Sequence, residues 1–146
     1  MLAHYRRFET LAARLPEAAV LLAVRIAAAQ PFWASGRSKV EGWFDFRPEV
    51  IDLFRDEYRL PLLAPELAAP LTTVAEHVLP VLLVLGLCTR GAALGLFVMT
   101  LVIQLLVYPD AFWTVHSLWF ALLLVVLRYG GGAWSLDRML PAGKPG

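Results

Sequence analysis

Glu76 and His77 stand side by side near the middle of an apolar run from Leu67 to Leu87. A carboxylate and an imidazole so placed can pass protons and hold a polar ligand. Hydrocarbon is the wrong solvent for either, since a charge at the centre of a membrane helix costs at least about 2.5–3.5 kcal/mol. Residues of this kind face a protein interior, a partner or a wet cavity. Thr72, Thr73 and Pro80 join them in one stripe at helical spacing. Pro80 also leaves the carbonyl of Glu76 without its helical donor. Further polar groups sit in the other apolar stretches. Arg25 lies in the first, with Trp33 on the same face and Lys39 just beyond. Gln104 lies between Thr100 and Tyr108 at four-residue spacing, and His116 shares a face with Trp113, Ser117 and Phe120.

Four elements must position these groups. The chain has 146 residues, 59% of them hydrophobic, and a mean hydropathy of +0.63. The apolar residues concentrate in blocks at about residues 17–36, 67–87, 91–108 and 112–128. A bilayer-crossing helix needs about 17–25 residues, which all four supply. A soluble bundle would need a water-facing stripe that these blocks lack. The expected fold is therefore an all-α integral membrane protein: a four-transmembrane-helix bundle, one membrane domain over residues 1–146. A long, partly helical loop joins the first two spans.

That loop is too patterned for a linker. Pro48 can open a short helix from Glu49 to Tyr58, with Val50, Ile51, Leu53 and Phe54 apolar, able to lie across the mouth of the bundle. Residues 4–15 read as an interfacial helix with Phe8, Leu11 and Leu15 on one face. Gly91 and Gly95 form a GxxxG for close helix contact. Ser135 is placed to cap a final turn after the Gly130–Gly132 run. Arg6, Arg7, Arg14, Arg90, Arg128, Arg138 and Lys144 fall on one side, and Arg37, Lys39, Arg47, Arg55 and Arg59 on the other. The excess points to both termini being cytoplasmic. The net charge of +1, with no basic run interleaved with aromatics, gives no sign of nucleic-acid binding. The single cysteine, Cys88, excludes an intramolecular disulfide and a CxxC shuttle.

With this orientation, Glu76 and His77 lie near mid-bilayer, and Gln104 and His116 in the outer half. Trp33 and Lys39 lie further out. Polar groups from four helices thus converge on one cavity opening toward the long loop. Each also has a plainer reading. Arg25 and Glu76 can form a structural ion pair, and His77 and Gln104 can bond between helices. Trp113 and Trp119 can belong to an interfacial belt.

Three stretches resemble the DoxX family. They are Arg25-Ile26 with Phe32-Trp33-Ala34-Ser35-Gly36-Arg37-Ser38-Lys39-Val40, then Glu76-His77-Val78-Leu79-Pro80 through Leu85 to Ala93, then His116-Ser117-Leu118-Trp119-Phe120-Ala121 leading to Ser135-Leu136-Asp137. The long loop is similar to that of the branch found beside metal-stress and bufferin-type operons. The resemblance implies a small multi-pass protein of the bacterial inner membrane, associated with membrane redox systems and stress response.

Two functions fit these residues. One is a quinone-linked redox subunit or accessory of a membrane oxidoreductase, with quinone as the bound cofactor. Glu76, His77 and Arg25 are then the expected catalytic set, and Gln104, His116, Trp33, Lys39 and Trp119 the expected substrate-binding set. Electrons would come from a partner protein or small reductant. The other is an accessory for small-solute, metal or metallophore transport, or a membrane anchor for a partner enzyme. Either role implies contact with the lipid bilayer and with a partner protein or further copies of the chain. Whether the chain itself catalyses is open at this point.

Overall fold

The computed structural model describes residues 1–42, 45–61 and 63–140. Lys144 and the side chain of Phe8 lie outside the described residues.

Helix α1 (Leu2–Ala12) leads to α2 (Glu17–Ser38), the first long apolar helix. A short antiparallel hairpin follows, β1 (Val40–Glu41) paired with β2 (Asp45–Phe46), with Val40 opposite Phe46. Then come α3 (Glu49–Leu53) and a π-helical turn, Phe54–Tyr58. The long helices α4 (Pro65–Leu85) and α5 (Thr89–Val102) follow, α5 running on as a π turn over Ile103–Val107. A 3-10 turn (Pro109–Ala111) and a π turn (Phe112–His116) lead into α6 (Ser117–Tyr129), and α7 (Leu136–Met139) closes the described chain. Four helices are long and apolar enough to cross a membrane: Glu17–Ser38, Pro65–Leu85, Thr89–Val107 and Pro109–Tyr129.

Small residues set the spacing between these helices. Lipid offers no hydrophobic drive for helix association, so van der Waals contact must supply it. Ala28, Ala29 and Phe32 of α2 meet Leu83 of α4, Ala92, Ala93 and Leu96 of α5, and Leu123 and Val126 of α6 in one core. The GxxxG expectation holds at one glycine only. Gly95 lies against the Leu79 side chain, whereas Gly91, in the first turn of α5, faces open space. A second core lies over one end of the bundle. Val50 and Phe54 of the loop pack on Ala68 and Ala69 at the start of α4. Proline at the first position of α4 preorganises that start.

At the other end, Gly86 closes α4 in the left-handed conformation, with φ of 72°. A Cβ there would lie 2.4 Å from a guanidinium nitrogen of Arg25 and 2.4 Å from Ser135 Cβ, so only glycine fits. Ser135 precedes α7, but its hydroxyl donates to the Gly132 carbonyl at 2.7 Å instead of capping the helix. Asp137 supplies the capping function, to a different helix. Its carboxylate accepts from the backbone N–H of Cys88 (2.7 Å), from that of Thr89 (2.8 Å) and from the Thr89 hydroxyl (2.6 Å), at the start of α5. Burial works against the charged form, but these three donors and the Arg25 charge outweigh it and hold the carboxyl below its usual range.

Candidate functional site: an ion-paired chamber under the loop

Glu76 is buried, and its partner is Lys39. The Lys39 ammonium donates to Glu76 Oε2 at 2.6 Å, and both side chains are 4% exposed. Ser35 completes the cluster. Its hydroxyl meets Glu76 Oε1 at 3.0 Å and accepts from Lys39 Nζ at 2.8 Å. Lysine is long enough to reach back from the end of α2, where the chain turns into the hairpin. Gly36 makes the approach possible. A Cβ at that position would lie 2.9 Å from the His77 ring and 3.1 Å from Glu76 Cβ.

Beside Glu76 lies a cavity of about 170 Å³. Ser35, Thr72, Glu76, His116 and Trp119 line it from the bundle, and Phe54, Tyr58 and Tyr108 close it from the loop side. The loop segment thus roofs the chamber. Its position is secured by Tyr108, whose hydroxyl donates to the Glu57 carboxylate, and by edge-to-face contact of Tyr58 with Tyr108 at 6.1 Å. The bond to Glu57 holds the Tyr108 hydroxyl well above its ordinary range, and burial does the same for Tyr58.

All three π turns border this chamber: Phe54 and Tyr58 come from one, Ile103 and Val107 from another, His116 from the third. Such turns account for well under 1% of residues in globular proteins, so three around one cavity are not incidental. A widened turn takes side chains out of α-helical phase and is common at functional sites. Here two of them bring Gln104 and His116 together, with Gln104 Oε1 2.7 Å from His116 Nδ1. Gln104 Nε2 donates to the Pro109 carbonyl at 2.6 Å, which fixes the amide. Nδ1 of His116 therefore carries the proton, and in the neutral ring Nε2 is an acceptor. Trp119 packs on His116 at 5.1 Å and on Phe32 at 5.2 Å.

Of the expected site residues, Glu76, His116 and Trp119 line the chamber directly, and Lys39 and Gln104 hold two of its polar groups. Three lie elsewhere. Arg25 does not meet Glu76. It is fully buried, and donates to the carbonyls of Leu83 (3.3 Å), Val84 (2.8 Å) and Trp134 (2.5 Å). The antiparallel register explains the difference. Ser35 lies opposite Glu76, and Arg25 is ten residues from Ser35, or about 15 Å along the helix. Arg25 instead satisfies the Val84 carbonyl at the end of α4, shares the Leu83 carbonyl with the Gly86 N–H, and ties both to Trp134 beyond α6.

His77 turns away from Glu76, since adjacent helix positions do not share a face. Its Nδ1 lies 2.7 Å from the Thr73 carbonyl of its own helix, and Nε2 is buried with no partner among the described residues. Trp33 packs edge-on against His77 at 5.3 Å and lines a lipid-facing groove instead of the chamber. Ser35, Tyr58 and Phe54 were not singled out as site residues. The i, i+4 spacing of Phe54 and Tyr58 was the available signal.

The DoxX family model matches residues 20–109. The chain belongs to the DoxX family. The match takes in Arg25, Trp33, Lys39, Glu76, His77 and Gln104, while His116 and Trp119 lie beyond it. No curated protein and no solved structure matched the chain. Family membership and the four apolar helices make it a multi-pass membrane protein.

Proposed function

We propose that this DoxX protein is a quinone-linked subunit of a membrane oxidoreductase system of the bacterial inner membrane. Both termini are cytoplasmic in this reading, and the chamber takes the quinone head. One observation carries it: a chamber of about 170 Å³ with a carboxylate, an imidazole and four aromatic rings on its walls. Sites for drug-sized ligands run to about 300–1,000 Å³, so this space suits one substituted ring, with the tail left in lipid.

A bound quinone would accept two electrons and two protons, the electrons coming from a partner that carries a redox centre. The residues supply the rest. His116 donates from Nε2 when protonated and accepts there when neutral, while Gln104 keeps its ring oriented. Glu76 holds an acceptor pair at the opposite wall, and Ser35 and Lys39 link it to the hairpin. Trp119 and Tyr58 present faces to a ring. Arg25 and His77 have supporting roles, the first capping α4 and the second packing α2 against it.

Metal transport has less support. Among the described residues no group of three or more His, Cys, Asp and Glu side chains could hold a metal ion.

The test is calorimetric binding of a short-tailed quinone to the purified chain. Glu76→Gln and His116→Leu each remove a buried polar partner worth about 1–3 kcal/mol, so affinity should fall by about tenfold or more. His77→Ala, outside the chamber, should bind as the parent does. Equal affinity in all four proteins would sink the proposal.

A further inference from the structure

A cavity of about 690 Å³ lies at the opposite end of the bundle from the chamber. The first turn of α2, the α4–α5 turn, the end of α6 and α7 wall it. These are helix ends. Helix α2 has 22 residues, so it is about 33 Å long, against about 30 Å of hydrocarbon. The cavity therefore sits at headgroup depth.

Its charges do not neutralise one another. Glu17 and Arg138 line it, and their side chains make no hydrogen bond or ion pair to any described residue. Arg90 donates a single bond, to the Arg128 carbonyl at 3.3 Å. Asp137 is already committed to Cys88 and Thr89. The glycines at 130–132 leave one wall without side chains. What remains is two exposed guanidinium groups and one exposed carboxylate, none of them in an ion pair with a described residue, around the cavity.

We propose that this cavity binds a phospholipid headgroup bearing both a phosphate and a primary ammonium. The phosphate lies between Arg90 and Arg138, whose planar forks suit its oxygens. The ammonium lies at Glu17. A glycerol head brings only neutral hydroxyls to that carboxylate, where an ammonium brings charge-assisted hydrogen bonds. A quaternary ammonium has no N–H to donate to it. A lipid fits better than a soluble phosphate ester because Val20, one turn along α2 from Glu17, is exposed on the membrane-facing surface, where acyl chains continue. This inference is independent of the quinone reading.

Binding is measured by native mass spectrometry of the purified full chain with phosphatidylethanolamine, phosphatidylglycerol and phosphatidylcholine of matched acyl chains. Soluble phosphoethanolamine serves as a separate arm. The expected result is about tenfold tighter binding of phosphatidylethanolamine than of the other two lipids. Glu17→Gln should bring the ethanolamine-to-glycerol ratio near one, and Arg90→Gln with Arg138→Gln should weaken all three. Glu17 is at the surface, so its substitution does not endanger folding. Equal binding of the lipids by the parent chain, or an unchanged ratio in Glu17→Gln, would overturn the assignment. Tighter binding of soluble phosphoethanolamine than of the lipid would also overturn it, in favour of a free metabolite.

Discussion

Replacing Lys39 with Met isolates the ion pair on which the chamber depends. Lys39 and Glu76 meet at 2.6 Å with side chains 4% exposed. Removing one member of such a pair strands the other charge, at a cost of about 3–5 kcal/mol. Ser35 still reaches Glu76 Oε1 at 3.0 Å, so the loss should fall toward the lower end, about 3 kcal/mol. The double variant Lys39→Met/Glu76→Gln removes both charges and keeps a hydrogen-bonding group for Ser35. Its net cost should be only about 1 kcal/mol, since a buried pair replaced as a unit is often nearly neutral. The coupling between the sites is then about 2 kcal/mol or more, within the range of contacting residues. At about 3 °C per kcal/mol for a chain of this size, the single variant melts roughly 9 °C lower and the double variant recovers most of that. Thermal unfolding in detergent, followed by circular dichroism, reads both. A double variant as unstable as the sum of the singles would show that the two charges do not stabilise each other, and would refute the reasoning.

Two further outcomes follow from close approaches and charge. Gly36→Ala places a methyl 2.9 Å from the His77 ring, and overpacking of this kind costs about 1–3 kcal/mol. Its melting temperature should drop while Gly91→Ala, facing open space, leaves it unchanged; equal melting of the two would contradict the packing of α2 on α4. Asp137 titrates below its ordinary value of 3.8 in the folded chain. Its contribution to stability is thus complete above that value and is lost as pH falls through the folded one. Melting curves between pH 6 and roughly pH 3 should therefore show an acid-dependent loss that Asp137→Ala diminishes, and identical slopes for the two proteins would count against the capping role.

Much of the architecture was legible in the chain because hydrophobic length is a local property. The blocks at 67–87 and 112–128 and the helices Pro65–Leu85 and Pro109–Tyr129 overlap closely, since hydrocarbon thickness alone dictates how many residues must be apolar. The loop helix was legible from Pro48 and its apolar spacing, and it runs from Glu49 through the π turn ending at Tyr58. The hairpin at Val40–Glu41 and Asp45–Phe46 was missed, because two-residue strands leave no periodicity to read. Pairing was read less well. Depth alone allows Arg25 as the partner of Glu76, but the register of the two antiparallel helices sets Ser35, ten residues along, opposite that carboxylate.

The amino-acid sequence by itself determined that this is a membrane bundle. It also determined that Glu76 must be sheltered, because the cost of exposing charge to lipid needs no knowledge of neighbours. Only the tertiary structure decided who shelters it. Lys39 folds back from beyond the end of α2, Gly36 lets α2 close on α4, and three π turns rotate His116, Gln104 and Tyr58 into place. Each of these depends on helix register and turn width. Those follow from how side chains on different helices interlock, and a single strip of residues does not contain that information.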